Sequence, residues 1–149
     1  MPLATTLLTE RIEQKLALLL QLRDLGLRQA ALIESGDMTQ LLKLLAAKQR
    51  LLAALQSVER ELDRFRGDDP EARVWASPEH RRRCAETAAA CEDLLRTIVE
   101  QERLSESQMR DRRERAAAQL QGAHYASEVH HAYLAETHNA SSHLDLMQG

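Results

Sequence analysis

Of the residue types in this chain, histidine is the one whose spacing is most similar to that of a metal-binding site. Five of the six histidines stand close together toward the C-terminal end: His124, His130, His131, His138 and His143. On a helix, His124, Glu128 and His131 would share one face. A metal site needs converging ligands whose orientation is fixed by further hydrogen bonds, and nothing around these residues supplies that rigidity. We interpret the histidines as part of a polar segment and predict no metal and no other cofactor.

Cysteine and the remaining histidine also offer little chemistry. Cys84 and Cys91 are seven residues apart, which on a helix is about 10 Å and too far for a disulfide, so we interpret both as small buried apolar residues. His80 stands in a segment with three following arginines, which is typical of a solvated first helical turn. The sequence has no Gly-rich phosphate loop and no nucleophile elbow. We predict that the protein is not an enzyme and has no catalytic residues.

The amino-acid composition indicates the fold class. Of the 149 residues, 44% are hydrophobic but only 3% are aromatic, and the apolar share is carried by Leu and Ala rather than by residues that favour strands. This predicts an all-α fold. A formal net charge of −3 gives no basic patch for a nucleic acid. The strongest apolar run near the N-terminus, Leu16 to Leu20, is too short for a membrane span and lacks a signal-peptide pattern, so we expect a cytoplasmic protein.

The elements that must position any site are helices. Apolar residues recur at helical spacing from Leu7 to Ile33, with Thr5 or Thr6 as the N-cap, and predict a first helix. Gly36 then supplies a helix stop, and Asp37 supplies the N-cap of a second helix. A connection this short predicts an antiparallel helical hairpin.

The second helix carries a seam typical of coiled coils. Its a and d positions are Leu41, Leu44, Lys48, Leu51, Leu55, Val58, Leu62 and Phe65. Only Lys48 is polar, which fits either a hairpin edge or a register-setting position. Gly67 to Pro70 ends this helix, and Trp75 in the connector is expected either to cover one end of the hairpin as core or to contact a partner. Ser77 and Pro78 predict the start of a third helix.

The third helix changes character along its length. Its seam is apolar as far as Ile98 but becomes polar from Glu102 onward, so we expect residues 101–121 to be helical and mostly solvated. After Gly122 the composition shifts again, which predicts a weakly ordered tail. The sequence thus predicts a hairpin plus a long third helix, forming a three-helix coiled-coil-like bundle over residues 1–122. Residues 123–149 are predicted to be flexible or conditionally helical.

The tail contains a spaced set of apolar residues. Tyr125, Val129 and Tyr133 recur at every fourth position and would form a narrow stripe if the segment became helical, with Leu134 adding apolar surface. A segment too weak to fold alone can fold against a partner protein. Alternatively, the stripe docks on the exposed side of the chain's own bundle.

The layout as a whole resembles the FlgN-type flagellar export chaperones. The likeness is carried by residues 16–20 (LALLL), 30–37 (AALIESGD), 41–55, 94–95 (LL) and 102–109 (ERLSESQM). Lys48 to Leu55 match the K-x-x-L-L-x-x-L core of the family's Leu-rich helix. The resemblance extends in order and length over nearly the whole chain.

The resemblance implies a cytosolic protein that binds hook–filament junction proteins, keeps them unassembled and delivers them to the flagellar export apparatus. It places the cargo contacts in the C-terminal helical region, here at Met109, Leu120, Tyr125, Val129, Tyr133 and Leu134. Two other interpretations stay open: a structural module that dimerises through the seam of the second helix, and a related chaperone for another flagellar component such as the filament cap. The pattern is compatible with a monomer or a homodimer.

Overall fold

Helices make up almost all of the computed structural model, which describes the backbone of residues 3–148 and the side chains of residues 3–139. The elements are α1 (Ala4–Ser35), α2 (Met38–Arg66), a short 3₁₀ turn (Pro70–Ala72) and α3 (Pro78–Gln148). No β-strand occurs between residues 3 and 148. The predicted all-α class, with a helical hairpin followed by a long third helix, is confirmed.

Local hydrogen bonds set the two inner helix boundaries. Gly36 ends α1 with a left-handed φ of 77°, a conformation in which glycine has no steric penalty. The carboxylate of Asp37 accepts from the backbone N–H of Gln40 at 3.1 Å and caps α2. The hydroxyl of Ser77 accepts from the backbone N–H of His80 at 3.1 Å, at the start of α3. These predicted caps are confirmed.

The start of α1 differs from the prediction. The helix begins at Ala4 and its N-cap is Leu3, so neither Thr5 nor Thr6 caps it. Thr5 is buried, and its hydroxyl donates to the backbone carbonyl of Val74 at 2.6 Å. The prediction of a threonine N-cap was wrong because this hydroxyl ties α1 to the connector before α3 instead.

Within the compact unit Met1–Gln108, α1 and α2 are antiparallel and α3 runs parallel to α1. The direction of α3 follows from its contacts with α1. The Cys91 sulfur lies 3.7 Å from the carbonyl oxygen of Ile12, and further along both helices Gln108 donates to the carbonyl of Ala30 at 3.3 Å. The hairpin and the first part of α3 therefore form an up-down-up three-helix bundle.

The core of this bundle lies between the three helices in two clusters. The first contains Leu8, Val58, Leu62, Phe65 and Cys84, and the second is centred on Leu19, Leu22 and Cys91. Trp75 packs against the first cluster, which confirms its predicted role as core at one end of the hairpin. Both cysteines are buried free thiols, as predicted. Burial raises the pKa of the Cys91 thiol.

The seam residues of α2 pack inside the bundle. Its buried members are Leu41, Leu44, Lys48, Val58, Leu62 and Phe65. Leu51 and Leu55 are half-buried and pack against the second cluster. A homodimer formed through this seam would therefore require the bundle to open.

The middle of α3 is docked by polar side chains. The amide nitrogen of Gln101 donates to the backbone carbonyl of Arg23 at 3.1 Å, and that of Gln108 donates to Ala30. Ser105, between them, is buried. Most of residues 101–121 are nevertheless exposed, so the prediction that this stretch is helical and mostly solvated is confirmed, although its first part contacts α1 as far as Gln108. Hydrophobic periodicity does not detect side chains that dock through hydrogen bonds to a neighbouring backbone.

A second unit, Met109–Gly149, begins within α3. Gln108, the last residue before it, is hydrogen-bonded to Ala30 and Glu34 of α1. The boundary predicted at residue 122 from the change in composition lies inside this second unit. Conditional folding of residues 123–149 stays a prediction.

Candidate functional site

The second unit carries the apolar residues predicted to bind cargo. Tyr125, Val129 and Tyr133 follow one another at four-residue intervals on α3 and form one stripe along the helix. Their side chains are 70%, 50% and 66% exposed, respectively. Single apolar residues on a surface are ordinary, but adjacent large ones on one helical face mark a candidate contact surface.

The other three predicted residues are exposed but do not join this stripe. Each helical residue advances about 100° around the axis, so Leu134 lies about 100° from Tyr133 and Leu120 about 140° from Tyr125. Met109 falls on the opposite side of the helix from Tyr125 by the same calculation. The structure thus brings three of the six predicted cargo residues onto one face.

The helix around the stripe has few formal charges. Residues 116–139 contain Glu128 and Glu136 but no Lys or Arg. Within this segment, a Cβ added to Gly122 would meet no atom within 4 Å in the described part of the chain. Solvated helices usually present charged residues on their outer face. This one presents aromatic and small side chains, a surface suited to packing against another apolar face.

The tail histidines whose side chains are described, His124, His130, His131 and His138, are exposed. The Nε2 atom of His124 lies 3.1 Å from a carboxylate oxygen of Glu128, and the ring centroids of His130 and His131 are 6.4 Å apart. Among the described residues, no three His, Cys, Asp or Glu side chains are grouped as metal ligands. His143 lies outside the residues whose side chains are described.

A polar layer, buried at Lys48 and Gln29 and partly exposed at Glu102, joins the three helices. This side chain is only 8% exposed; its ammonium donates to the side-chain oxygen of Gln29 at 3.1 Å and pairs with the carboxylate of Glu102. Burial lowers the pKa of Lys48 from its usual 10.5. Because each helix contributes one member, we interpret the layer as a device that sets the register of the bundle.

Comparison with protein-family models, with curated proteins and with solved structures finds no match for this chain. In the described part of the chain, no helix has the combination of length and apolar character that a membrane crossing needs. The resemblance to FlgN-type chaperones therefore depends on the sequence features alone and stays a prediction.

Proposed function

We propose that the protein is a non-catalytic, FlgN-type flagellar export chaperone that binds hook–filament junction proteins in the cytosol and delivers them to the export apparatus. The cargo surface lies on the part of α3 beyond Gln108. The observation that carries the proposal is the exposed stripe of Tyr125, Val129 and Tyr133 on a helix with few charges. The resemblance in helix layout supports the choice of cargo.

The mechanism is coupled packing of two amphipathic helices. The terminal helix of the cargo, which would otherwise self-associate through its apolar face, packs on the stripe and is covered. Tyrosines suit this role because they supply a large contact area with few rotatable bonds and often dominate binding energies. Ordering both segments costs about 2–5 kcal/mol. The resulting moderate affinity is appropriate for a cargo that must be released during export.

Calorimetric titration with the terminal helical segment of the same organism's hook–filament junction protein tests the proposal. The full chain is expected to bind the segment, and the double variant Tyr125→Ala/Tyr133→Ala is expected to bind it about thirtyfold more weakly. That factor corresponds to a loss of about 2 kcal/mol for two contact tyrosines.

Leu42 offers a matched control, since it is 68% exposed and lies on α2 within the first unit. Leu42→Ala should leave cargo affinity unchanged. The tyrosine double variant should shift the free energy of unfolding by less than about 0.5 kcal/mol, as is usual for exposed positions. A large loss of stability would instead support docking of the stripe on the chain's own bundle. Binding of a filament-cap segment, without binding of the junction segment, would assign the protein to the related chaperone class.

A further inference from the structure

A shallow groove lies between α1 and α2 beside the hairpin turn. Its volume is about 350 Å³, and all of its lining residues come from these two helices. The floor is apolar and is formed by Leu25 and Leu32 from α1 and by Leu44 and Ala47 from α2. Grooves between two antiparallel helices are common docking sites for a further amphipathic helix.

The charged residues that line this groove are both cations. Arg28 projects from α1 and Lys43 from α2, both are exposed, and neither has an ion-pair partner among the described residues. Two cations in the other half of the hairpin are instead paired between the helices. Lys15 pairs with Glu59 at 2.6 Å, and Arg11 pairs with Glu61, so each of these cations of α1 has a carboxylate partner on α2.

The sequence around the groove strengthens this asymmetry. Residues 38–58 of α2 contain Lys43, Lys48 and Arg50 but no Asp or Glu, although the chain as a whole has a net charge of −3. The carboxylates at the nearby turn are already engaged: Glu34 accepts from Gln108 and Asp37 caps α2. The groove is therefore an apolar surface flanked by uncompensated positive charge.

We propose that this groove docks an acidic amphipathic helix of a partner protein. The apolar side of that helix covers Leu25 and Leu32, and carboxylates along its two edges pair with Arg28 and Lys43. Charge pairs at the edge of such an interface contribute specificity and association rate, whereas the apolar floor supplies most of the affinity. The proposal is independent of the cargo surface, because it uses residues of the first unit only.

Two designed helical peptides of about 20 residues test this proposal. They share the same leucines at i, i+3, i+4 and i+7 spacing and carry either Glu or Lys at the flanking positions. In titrations of the full chain, the acidic peptide should bind and the basic peptide should not. The double variant Arg28→Glu/Lys43→Glu should weaken binding of the acidic peptide by about tenfold or more.

Arg82→Glu/Arg83→Glu is the matched control, because these two exposed arginines lie at the start of α3. It should retain the affinity of the unaltered chain, as should the Tyr125→Ala/Tyr133→Ala variant, which separates this test from that of the cargo surface. Hydrogen exchange should slow in residues 25–32 and 40–47 when the acidic peptide is added.

Several outcomes would overturn the assignment. Equal binding of the two peptides would show that the floor alone attracts helices, and full binding by the Arg28→Glu/Lys43→Glu variant would place the acidic peptide elsewhere. If vesicles containing anionic phospholipid bind with the same dependence on Arg28 and Lys43 while the acidic peptide does not bind, the surface serves a membrane. A concentration-dependent dimer that loses peptide binding would assign the groove to a second copy of the chain.

Discussion

Gly26 provides a sharp test of how α3 docks on α1. A Cβ at this position would overlap the side-chain oxygen of Gln101 and would lie 2.9 Å from its Cδ atom. Real contacts are longer than this, so in the Gly26→Ala variant the Gln101 side chain must move. Its hydrogen bond to the carbonyl of Arg23, now 3.1 Å long, would then be lost.

The expected change in the free energy of unfolding is the sum of opposing contributions. Alanine in a helix interior stabilises the helix by about 1 kcal/mol relative to glycine. Loss of the Gln101 hydrogen bond costs about 1 kcal/mol, and forcing extra atoms into a packed contact costs about another 1 kcal/mol. Gly26→Ala should therefore destabilise the bundle by about 1 kcal/mol. In a Gln101→Ala background the obstacle is gone, so the same substitution should stabilise it by about 1 kcal/mol.

Urea denaturation followed by circular dichroism, applied to the two single variants and the double variant, measures this coupling. The expected interaction energy is about 2 kcal/mol, with a change of sign for Gly26→Ala between the two backgrounds. Additive effects, within about 0.5 kcal/mol, would refute the close contact between Gly26 and Gln101. Gly122→Ala is the control: no atom surrounds a Cβ there, so it should increase helicity with no dependence on Gln101.

Three further predictions concern caps, charge and thiols. Asp37→Ala should lower the free energy of unfolding by about 1 kcal/mol in urea denaturation, while Asp37→Asn retains most of the cap. Because burial lowers the folded-state pKa of Lys48, the unfolded chain binds more protons as the pH approaches 10.5. Stability relative to Lys48→Met should therefore rise with pH, and a fall in paired urea titrations would contradict this. Cys84 and Cys91 should resist alkylation in the folded chain and react in urea, as mass spectrometry can show.

Local signals made much of the fold predictable. Gly36, Asp37 and Ser77 act on backbone groups within a few residues of themselves, so their roles can be inferred from short stretches of sequence. The heptad seam of α2 similarly depends on spacing alone. These features identified the hairpin and the start of α3 without knowledge of any distant contact.

Polar docking could not be predicted in the same way. Thr5, Gln101 and Gln108 donate to backbone carbonyls roughly 70–80 positions away in the chain, and no periodic pattern records such a partner. The polarity of Gln101 and Gln108 indicated solvent exposure, and that of Thr5 indicated a helix cap. Along the chain, the boundary between the two compact units falls between Gln108 and Met109.

The candidate site was predictable in part. Four-residue spacing was enough to place Tyr125, Val129 and Tyr133 on one face of α3. Leu120 and Leu134 do not lie on this face, because they were predicted from their apolar character and the family resemblance rather than from helical phase. An exposed apolar face indicates the area and chemistry of a partner surface but not its identity.

Hydrogen exchange of the full chain, measured with and without the terminal helical segment of the hook–filament junction protein, tests the proposed chaperone function most directly. Binding through the stripe predicts slower exchange in residues 120–136 when the segment is added and unchanged exchange in α1 and α2. Unchanged exchange in residues 120–136 at a saturating concentration of the segment, or slowing confined to α1 and α2, would contradict the proposed cargo surface.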